Sequence, residues 1–391
     1  MKKILIVNKT FDLGGIQSSM VNMANELCQT YKVDLFVYNP SGVMKERLND
    51  QVTVLKPTWR FQALGMSFRE ALKSKDARIV FFRLFATFWT KVFSNKLPIK
   101  CAIKRQPKLL GYDLAIAYHH EQKKKSVVSG FSRFVDECVE SPKKVAWIHY
   151  DSEKVDLDSA YNNQFYKKMD KIVCVSQTLK ASFAEKNPKL REKVDFCYNF
   201  LPYEQLVEKS KMPQKIPYAD GSFICVSVCR LTPVKALVRA IRALADVLKQ
   251  NKDVMWYIAG DGPERGNIEK EIQKNQLEDR VVLLGNQSNP YPYIKNADLM
   301  LNVSFHEAAP MTFLESLSLG TPILATRTSS VDELLTDRET SFICDNSIEG
   351  IRGLFGWIIE NRNIVKNAKH KLNANALSNE GSLLKIKEYM A

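Results

Sequence analysis

Two carboxylates with seven residues between them stand late in the chain, in Ser304-Phe305-His306-Glu307-Ala308-Ala309-Pro310-Met311-Thr312-Phe313-Leu314-Glu315. The apolar run Ala297–Val303 before them reads as a strand, and a helix is expected from near Pro310, with Glu315 inside it. A strand, a turn and a helix N-terminus direct free backbone N–H groups and the positive end of the helix dipole at the turn, which makes an anion site. An acid on each side of such a site is ill suited to phosphate alone. It fits a ligand that carries both phosphates and hydroxyls, such as a sugar nucleotide. The two oxygens of Glu315 suit a vicinal diol such as that of ribose, and Glu307 is placed to hold hydroxyls of a sugar. The N–H groups of Met311 and Thr312 are available to phosphate, whereas Pro310 has none to offer. The plainer readings are a helix-surface acid at Glu315 and, at Glu307, an acid favoured by the dipole.

Arg230 and Lys235 bring two positive charges to a loop between the strand-like run Phe223–Val228 and the helix-like run Ala236–Leu248. Fixed cations there would stabilise the negative charge that grows on a departing diphosphate more than they stabilise its ground state. Either base alone reads as surface charge in a basic protein; the pair in this setting reads as a site. Gly14 and Gly15 follow the first strand-like run, Lys3–Asn8, and would let backbone approach phosphates or an acceptor closely. An ordinary turn is the plainer explanation. His149 ends the run Lys144–His149 and is a candidate contact to a donor sugar, with His119 and His120 less supported. Gly285 and Asn286 follow the run Val281–Leu284 and are candidates for contact with a base.

These residues need a scaffold. The pattern Lys3–Asn8, a glycine loop, a helix over Ile16–Leu27 and a strand over Val33–Tyr38 is the start of a doubly wound parallel sheet. Further strand-like runs lie at Asp113–Tyr118 and Lys171–Val175. The second half repeats the logic with Phe223–Val228, Val254–Ala259, Val281–Leu284, Asp298–Val303 and Ile323–Thr326. The segment Asn199–Pro217, with Pro202, Pro213 and Pro217, reads as the boundary. The division is therefore a first domain over 1–200, a second over 201–370, and a terminal helix over 371–391 that packs back on the first domain. Two such domains would enclose a cleft faced by the C-terminal ends of the strands.

At 391 residues, two cores are the natural expectation. No apolar run is long enough to span a membrane. The basic and apolar start, Met1–Asn8, is too short for a signal peptide and lacks a cleavage site, so a cytoplasmic protein is expected. Eight cysteines without a C-x-x-C pair indicate free thiols and no structural zinc. The whole net charge of +14 falls within residues 1–200. Within 56–110, thirteen Lys and Arg face only two acids, Glu70 and Asp76, which suggests an anionic partner for that half. Residues 78–97 read as one amphipathic helix, with Phe81, Phe85, Phe88, Trp89 and Val92 on one side and Arg83, Thr87, Thr90 and Lys91 opposite. Two readings stand: a helix packed on its own core, or an in-plane contact with an anionic membrane at the inner leaflet. No motif supports nucleic acid.

The acidic pair Glu307 and Glu315, Ser304 before it and Gly320-Thr321-Pro322 after it resemble the retaining glycosyltransferases of family 4. So do Val228-Cys229-Arg230-Leu231-Thr232-Pro233-Val234-Lys235, Ala259-Gly260-Asp261-Gly262-Pro263, the Asn8…Gly14-Gly15 loop, Trp147-Ile148-His149 and Val173–Ser176. The pattern is most similar to bacterial capsule and exopolysaccharide enzymes. The resemblance implies a GT-B fold of two facing Rossmann-like domains, a nucleotide-sugar co-substrate and transfer with retention to a glycan or lipid-linked acceptor. It further implies that the donor phosphate itself receives the acceptor proton, so no protein general base is assigned. Catalytic roles would fall on Arg230, Lys235, Glu307 and His149, and no metal or other cofactor is expected. A UDP-hexose donor is expected over GDP-mannose on frequency alone. Cys229, Ala236 and Ala308 depart from positions where the family commonly has glycine, and Ala308 would narrow the sugar pocket. Three rivals remain. Asp156-Leu157-Asp158 could hold a divalent metal on a diphosphate, though a solvated loop is the plainer reading. A sugar-nucleotide epimerase can share the fold. A non-catalytic partner subunit could retain it.

Overall fold

The computed structural model describes residues 1–150, 159–372 and 377–391. Asp156-Leu157-Asp158 lies outside the described residues. The chain divides into two compact units, Met1–Phe200 with Asn379–Ala391, and Leu201–Ser378. The second crossing thus comes later in the chain than position 370.

Unit 1 is built on seven parallel strands: β1 (Lys3–Thr10), β2 (Lys32–Asn39), β3 (Thr53–Leu55), β4 (Leu114–Ala117), β5 (Lys143–Ile148), β6 (Lys171–Cys174) and β7 (Val194–Phe196), in the order β3-β2-β1-β4-β5-β6-β7. Helices cover both faces, so the central strands read as unbroken apolar runs rather than alternating ones. Ile4, Leu5, Ile6 and Val7 of β1 have no exposed surface. Phe36 and Tyr38 of β2 pack with Phe61, Phe131 and Phe134 in one ring cluster. The terminal helix Glu380–Tyr389 belongs to this unit. Tyr389 donates from its hydroxyl to Asp195 at 3.2 Å, and Lys385 pairs with the same carboxylate at 3.2 Å.

Unit 2 holds six parallel strands: β8 (Phe223–Val228), β9 (Val254–Ala259), β10 (Val281–Gly285), β11 (Leu299–Asn302), β12 (Ile323–Thr326) and β13 (Ser341–Cys344), in the order β10-β9-β8-β11-β12-β13. The core between the sheet and the helices Leu237–Gln250 and Ile348–Glu360 is formed by Trp256, Ile258, Leu244, Leu248, Ile351 and Phe355, all buried. In both units the winding reverses beside the first strand, between β1 and β4 and between β8 and β11. Ligands of doubly wound sheets bind at that reversal, at the carboxyl ends of the strands. The loops after β1, β4, β8 and β11 therefore matter most.

The helix expected over 78–97 is two helices, Ala77–Val92 and Lys96–Ile103. The break is held by Asn95, which is buried and donates from its side chain to Lys123 O and Ser126 O. Pro98 then sits in the first turn of the second helix, where a missing N–H costs nothing. The first helix packs only a narrow face on its unit, with Ile79 and Phe82 against Ala63, Ala71 and Trp59. Ile79, Ala86 and Thr90 face inward. Arg83 donates to Ala63 O and Leu64 O at 3.3 and 3.0 Å, at the C-terminal end of the helix Trp59–Gly65, where carbonyls and the helix dipole both favour a cation. Phe81, Phe85, Phe88 and Val92 are exposed.

Candidate functional site

In unit 2 the loop after β8 is pinned to the loop after β9. Cys229 N donates to Ala259 O at 3.1 Å, and Leu231 N donates to Asp261 O at 3.0 Å. Leu231 is fully buried and anchors the segment. The approach is close enough to require the two glycines of Gly260-Asp261-Gly262. A Cβ at Gly260 would lie 1.8 Å from Cys229 O, and one at Gly262 2.3 Å from Leu231 O. The recurring turn noted in the sequence thus holds the Arg230 loop by backbone contact. Burial pushes the Cys229 thiol up to about 11, so it stays protonated.

From this anchor the chain passes Arg230, which is exposed and unpaired among the described residues, and makes a short turn over Pro233–Lys235. Ala236 then adopts a left-handed conformation, φ 54°, immediately before the helix Leu237–Gln250. A Cβ in this region costs about 1 kcal/mol, which explains why glycine is commonly expected there.

The loop after β11 meets this turn. Phe305 N donates to Val234 O at 2.8 Å. Lys235 Nζ lies 2.6 Å from Glu307 Oε1, and the same oxygen accepts from Ser304 Oγ at 2.7 Å. Glu307 Oε2 accepts no hydrogen bond among the described residues. The two charged side chains are 22% and 10% exposed, respectively. Lys235, Ser304 and Glu307 thus form one hydrogen-bonded group at the β8/β11 reversal, held through a single carboxylate oxygen. The pairing neutralises Lys235 within the unit and leaves Arg230 as the exposed cation of this loop.

The loop carrying Glu307 is held from beneath by side chains that the sequence reading did not single out. Thr326 Oγ1 donates to Ser304 O at 2.7 Å, and Ser329 Oγ donates to Glu307 O at 2.9 Å. Asn346 donates to Ser304 O, Phe305 O and Arg327 O. Arg239 donates to Val303 O at 2.7 Å and lies 4.1 Å over the Phe305 ring. These partners are remote in sequence and carry no motif of their own. The loop leads to Pro310 and the helix Met311–Ser318, whose N-terminus no side chain caps. Met311 and Thr312 occupy its first two positions, so their N–H groups lack intrahelical acceptors. Glu315 is half-buried on the next turn. Gly285 ends β10, and its carbonyl accepts from Gly260 N at 2.8 Å, which joins it to the same loop system; Asn286 follows and is exposed.

In unit 1, Gly14 precedes the helix Gly15–Leu27 at the end of the β1 loop. Its φ of 173° is extended backbone open to any residue, and a Cβ at Gly15 would meet nothing within 4 Å. His149 follows β5 directly. It is 8% exposed and donates from Nε2 to Tyr118 O at 2.8 Å. Burial pulls it down to about 3 and pulls His119 down to about 4, and the same cause holds His120 well below the ordinary imidazole range. All three imidazoles are neutral at ordinary pH, so His149 can orient a ligand but carries no charge to it. Glu121 beside them has no exposed surface. It accepts from Ser129 Oγ, Gly130 N and Ser132 N, and so caps the helix Phe131–Cys138. Among the described residues no group of three or more His, Cys, Asp or Glu could hold a metal ion.

Comparison with known proteins finds similarity to glycosyltransferases. Residues 208–378 match the family described as Glycosyl transferases group 1. The match lies within unit 2 and supports a glycosyltransferase. The chain is 24% identical over 307 residues to an uncharacterized glycosyltransferase of Methanocaldococcus jannaschii, covering 71% of this chain and 74% of that protein. It is 26% identical over 181 residues to the alpha-monoglucosyldiacylglycerol synthase of Streptococcus pneumoniae, covering 44% and 41%. It is also 26% identical over 159 residues to the N-acetyl-alpha-D-glucosaminyl L-malate synthase of Bacillus anthracis, covering 40% and 42%. The chain therefore spans less than half of the length of the latter two. Among solved structures, Anabaena HepE in complex with UDP-glucose matches with a TM-score of 0.71 at 16% identity, covering 99% of both chains. Staphylococcus aureus TarM, in complex with UDP and alpha-GlcNAc-glycerol among other ligands, matches with a TM-score of 0.67 at 14% identity, covering 100% of both. At such identity the likeness carries the fold: two Rossmann-like domains of the GT-B glycosyltransferase type.

Proposed function

We propose that the chain is a retaining glycosyltransferase that moves a hexose or N-acetylhexosamine from a UDP-sugar to a glycan or lipid-linked acceptor in bacterial surface polysaccharide synthesis. The observation that carries this reading is the Lys235–Glu307–Ser304 group at the β8/β11 reversal, inside the segment that matches the glycosyl transferase family. Glu307 Oε2 takes hydroxyls of the transferred sugar. Arg230, Lys235 and the N–H groups of Met311 and Thr312 hold the diphosphate, and Glu315 takes the ribose hydroxyls. Gly285 and Asn286 border the base. In unit 1, Gly14 and Gly15 offer backbone for close approach of a substrate, and His149 offers a neutral imidazole to a sugar hydroxyl.

The bond from the anomeric carbon to the diphosphate oxygen breaks, and the acceptor oxygen bonds to that carbon on the same face. The acceptor proton passes to the leaving phosphate, which needs no protein base. The cationic side chains and the helix N-terminus stabilise the departing charge, so no metal is assigned to the step. Names of relatives that specify alpha-linked glucosyl and N-acetylglucosaminyl products support retention, because an α-linked nucleotide sugar yields such products without inversion. A lipid-linked acceptor places the protein on the cytoplasmic face of an anionic membrane, in contact through residues 56–110.

The test is release of UDP from UDP-glucose and UDP-N-acetylglucosamine with lipid extracts as acceptor, with EDTA present and absent. Transfer that survives EDTA and fails in Glu307→Gln supports the reading. An epimerised nucleotide sugar formed without acceptor, or strict metal dependence, contradicts it.

A further inference from the structure

The helix Ala77–Val92 buries Ile79, Ala86 and Thr90 and leaves Phe81, Phe85 and Phe88 exposed. Arg83 is tied to the carbonyls of Ala63 and Leu64, and Thr90 has no exposed surface. Phe81 and Phe88 are 72% and 67% exposed, and Leu84, Phe85 and Val92 lie on the same exposed face. Their spacing of three and four residues makes one continuous stripe along the helix. An aromatic stripe of this size costs free energy in water and marks a surface that is covered in use. The neighbouring helix Phe68–Lys73 also exposes Phe68 and Leu72.

The surroundings say what covers it. Lys73, Lys75, Arg78, Lys91, Lys96 and Lys100 are all exposed around the stripe. Against the thirteen bases of residues 56–110 stand only Glu70 and Asp76. Glu70 is engaged with Ser67 and Asn39, and Asp76 with Arg78. A second copy of the chain would bring two such basic fields together, at a cost in repulsion. A lipid surface with anionic headgroups meets both features at once: headgroups neutralise the bases while the rings enter the acyl boundary. No described helix is long and apolar enough to cross a membrane, so the helix lies in the plane of the surface.

We propose that Phe81, Leu84, Phe85, Phe88 and Val92 form an insertion ridge that seats the protein on anionic phospholipid. Arg83 is the internal clamp that turns this face outward. This deepens the membrane contact proposed above and does not depend on sugar transfer.

Flotation with vesicles of phosphatidylcholine, alone or mixed with phosphatidylglycerol, tests it on the full chain. The wild type is expected to float with the mixed vesicles, to stay in solution with phosphatidylcholine alone, and to lose binding as salt rises. Phe81→Ser/Phe88→Ser is expected to weaken binding roughly tenfold or more. Lys96→Glu/Lys100→Glu, which leaves the rings in place, is expected to weaken it too. UDP affinity, measured separately by calorimetry, is expected to be unchanged in both variants. Wild type that fails to float at low salt, or a Phe81→Ser/Phe88→Ser variant that floats as the wild type does, overturns the proposal. So does a wild-type dimer, seen by sedimentation, that the same Phe substitutions convert to monomer without vesicle binding. Loss of UDP binding in the wild type with vesicle binding intact would count against the nucleotide-sugar reading and leave the ridge standing.

Discussion

Glu307 has one oxygen committed to Lys235 and Ser304, and the proposed function gives the hydroxyls of the sugar to the other. Glu307→Gln keeps the shape and removes the charge. Its expected effect is a loss of roughly 100-fold or more in kcat, with a circular dichroism spectrum like that of the wild type. Lys235→Met leaves a largely buried carboxylate without its cation. Because neither partner is fully buried, the expected loss of stability is about 1–2 kcal/mol by chemical denaturation rather than the larger cost of a fully buried pair. The histidines of unit 1 carry a pH prediction. Burial lowers His149 to about 3 and His119 to about 4 in the folded chain, against about 6.5 when unfolded. The unfolded state therefore binds protons that the folded state refuses, and stability falls as pH drops from about 6.5 through these folded values. Urea midpoints measured at pH 7, 5.5 and 4.5 are expected to decline, and His149→Gln is expected to flatten the decline. A wild-type midpoint that rises on acidification would contradict the assignment.

The glycines of the β9 loop and the left-handed Ala236 show how strands and turns set the site. Gly260→Ala would drive a methyl into the carbonyl of Cys229, so a loss of about 3 kcal/mol or more is expected. Ala236→Gly relieves the left-handed strain but frees the unfolded chain, and the expected net gain is up to about 1 kcal/mol. Melting curves of the two variants, moving in opposite directions, check both. The same elements show what was legible in the sequence. Buried parallel strands announce themselves as apolar runs, and β8, β9 and β12 lie within the ranges expected. Strands of three residues such as β3 and β7 are too short to show a period. The carboxylate at 307 stood out by its spacing from 315, but its pairing with Lys235 is made across 72 residues by strand order and leaves no local trace. Asn346, Ser329 and Arg239 stayed hidden for that reason. The helix over 77–92 was readable as two-faced, but periodicity does not say which face is inward. That is decided by the carbonyls at the end of the helix Trp59–Gly65, which take up Arg83.

Charge and chemistry are divided between the two halves of the chain. Residues 1–200 carry the whole net positive charge, while the family match and the Lys235–Glu307 pair fall in the neutral second half. The division fits an enzyme whose second unit grips a nucleotide sugar and whose first unit meets an anionic surface. It follows that salt should weaken vesicle binding steeply and UDP binding much less. The central claim is that the loops after β8 and β11 hold a nucleoside diphosphate. A crystal structure of the chain with UDP tests it most directly. The account predicts the diphosphate against Arg230 and the N–H groups of Met311 and Thr312, with the ribose on Glu315. Well-ordered UDP bound away from those loops, or full affinity retained in an Arg230→Ala/Glu315→Ala variant, would contradict it.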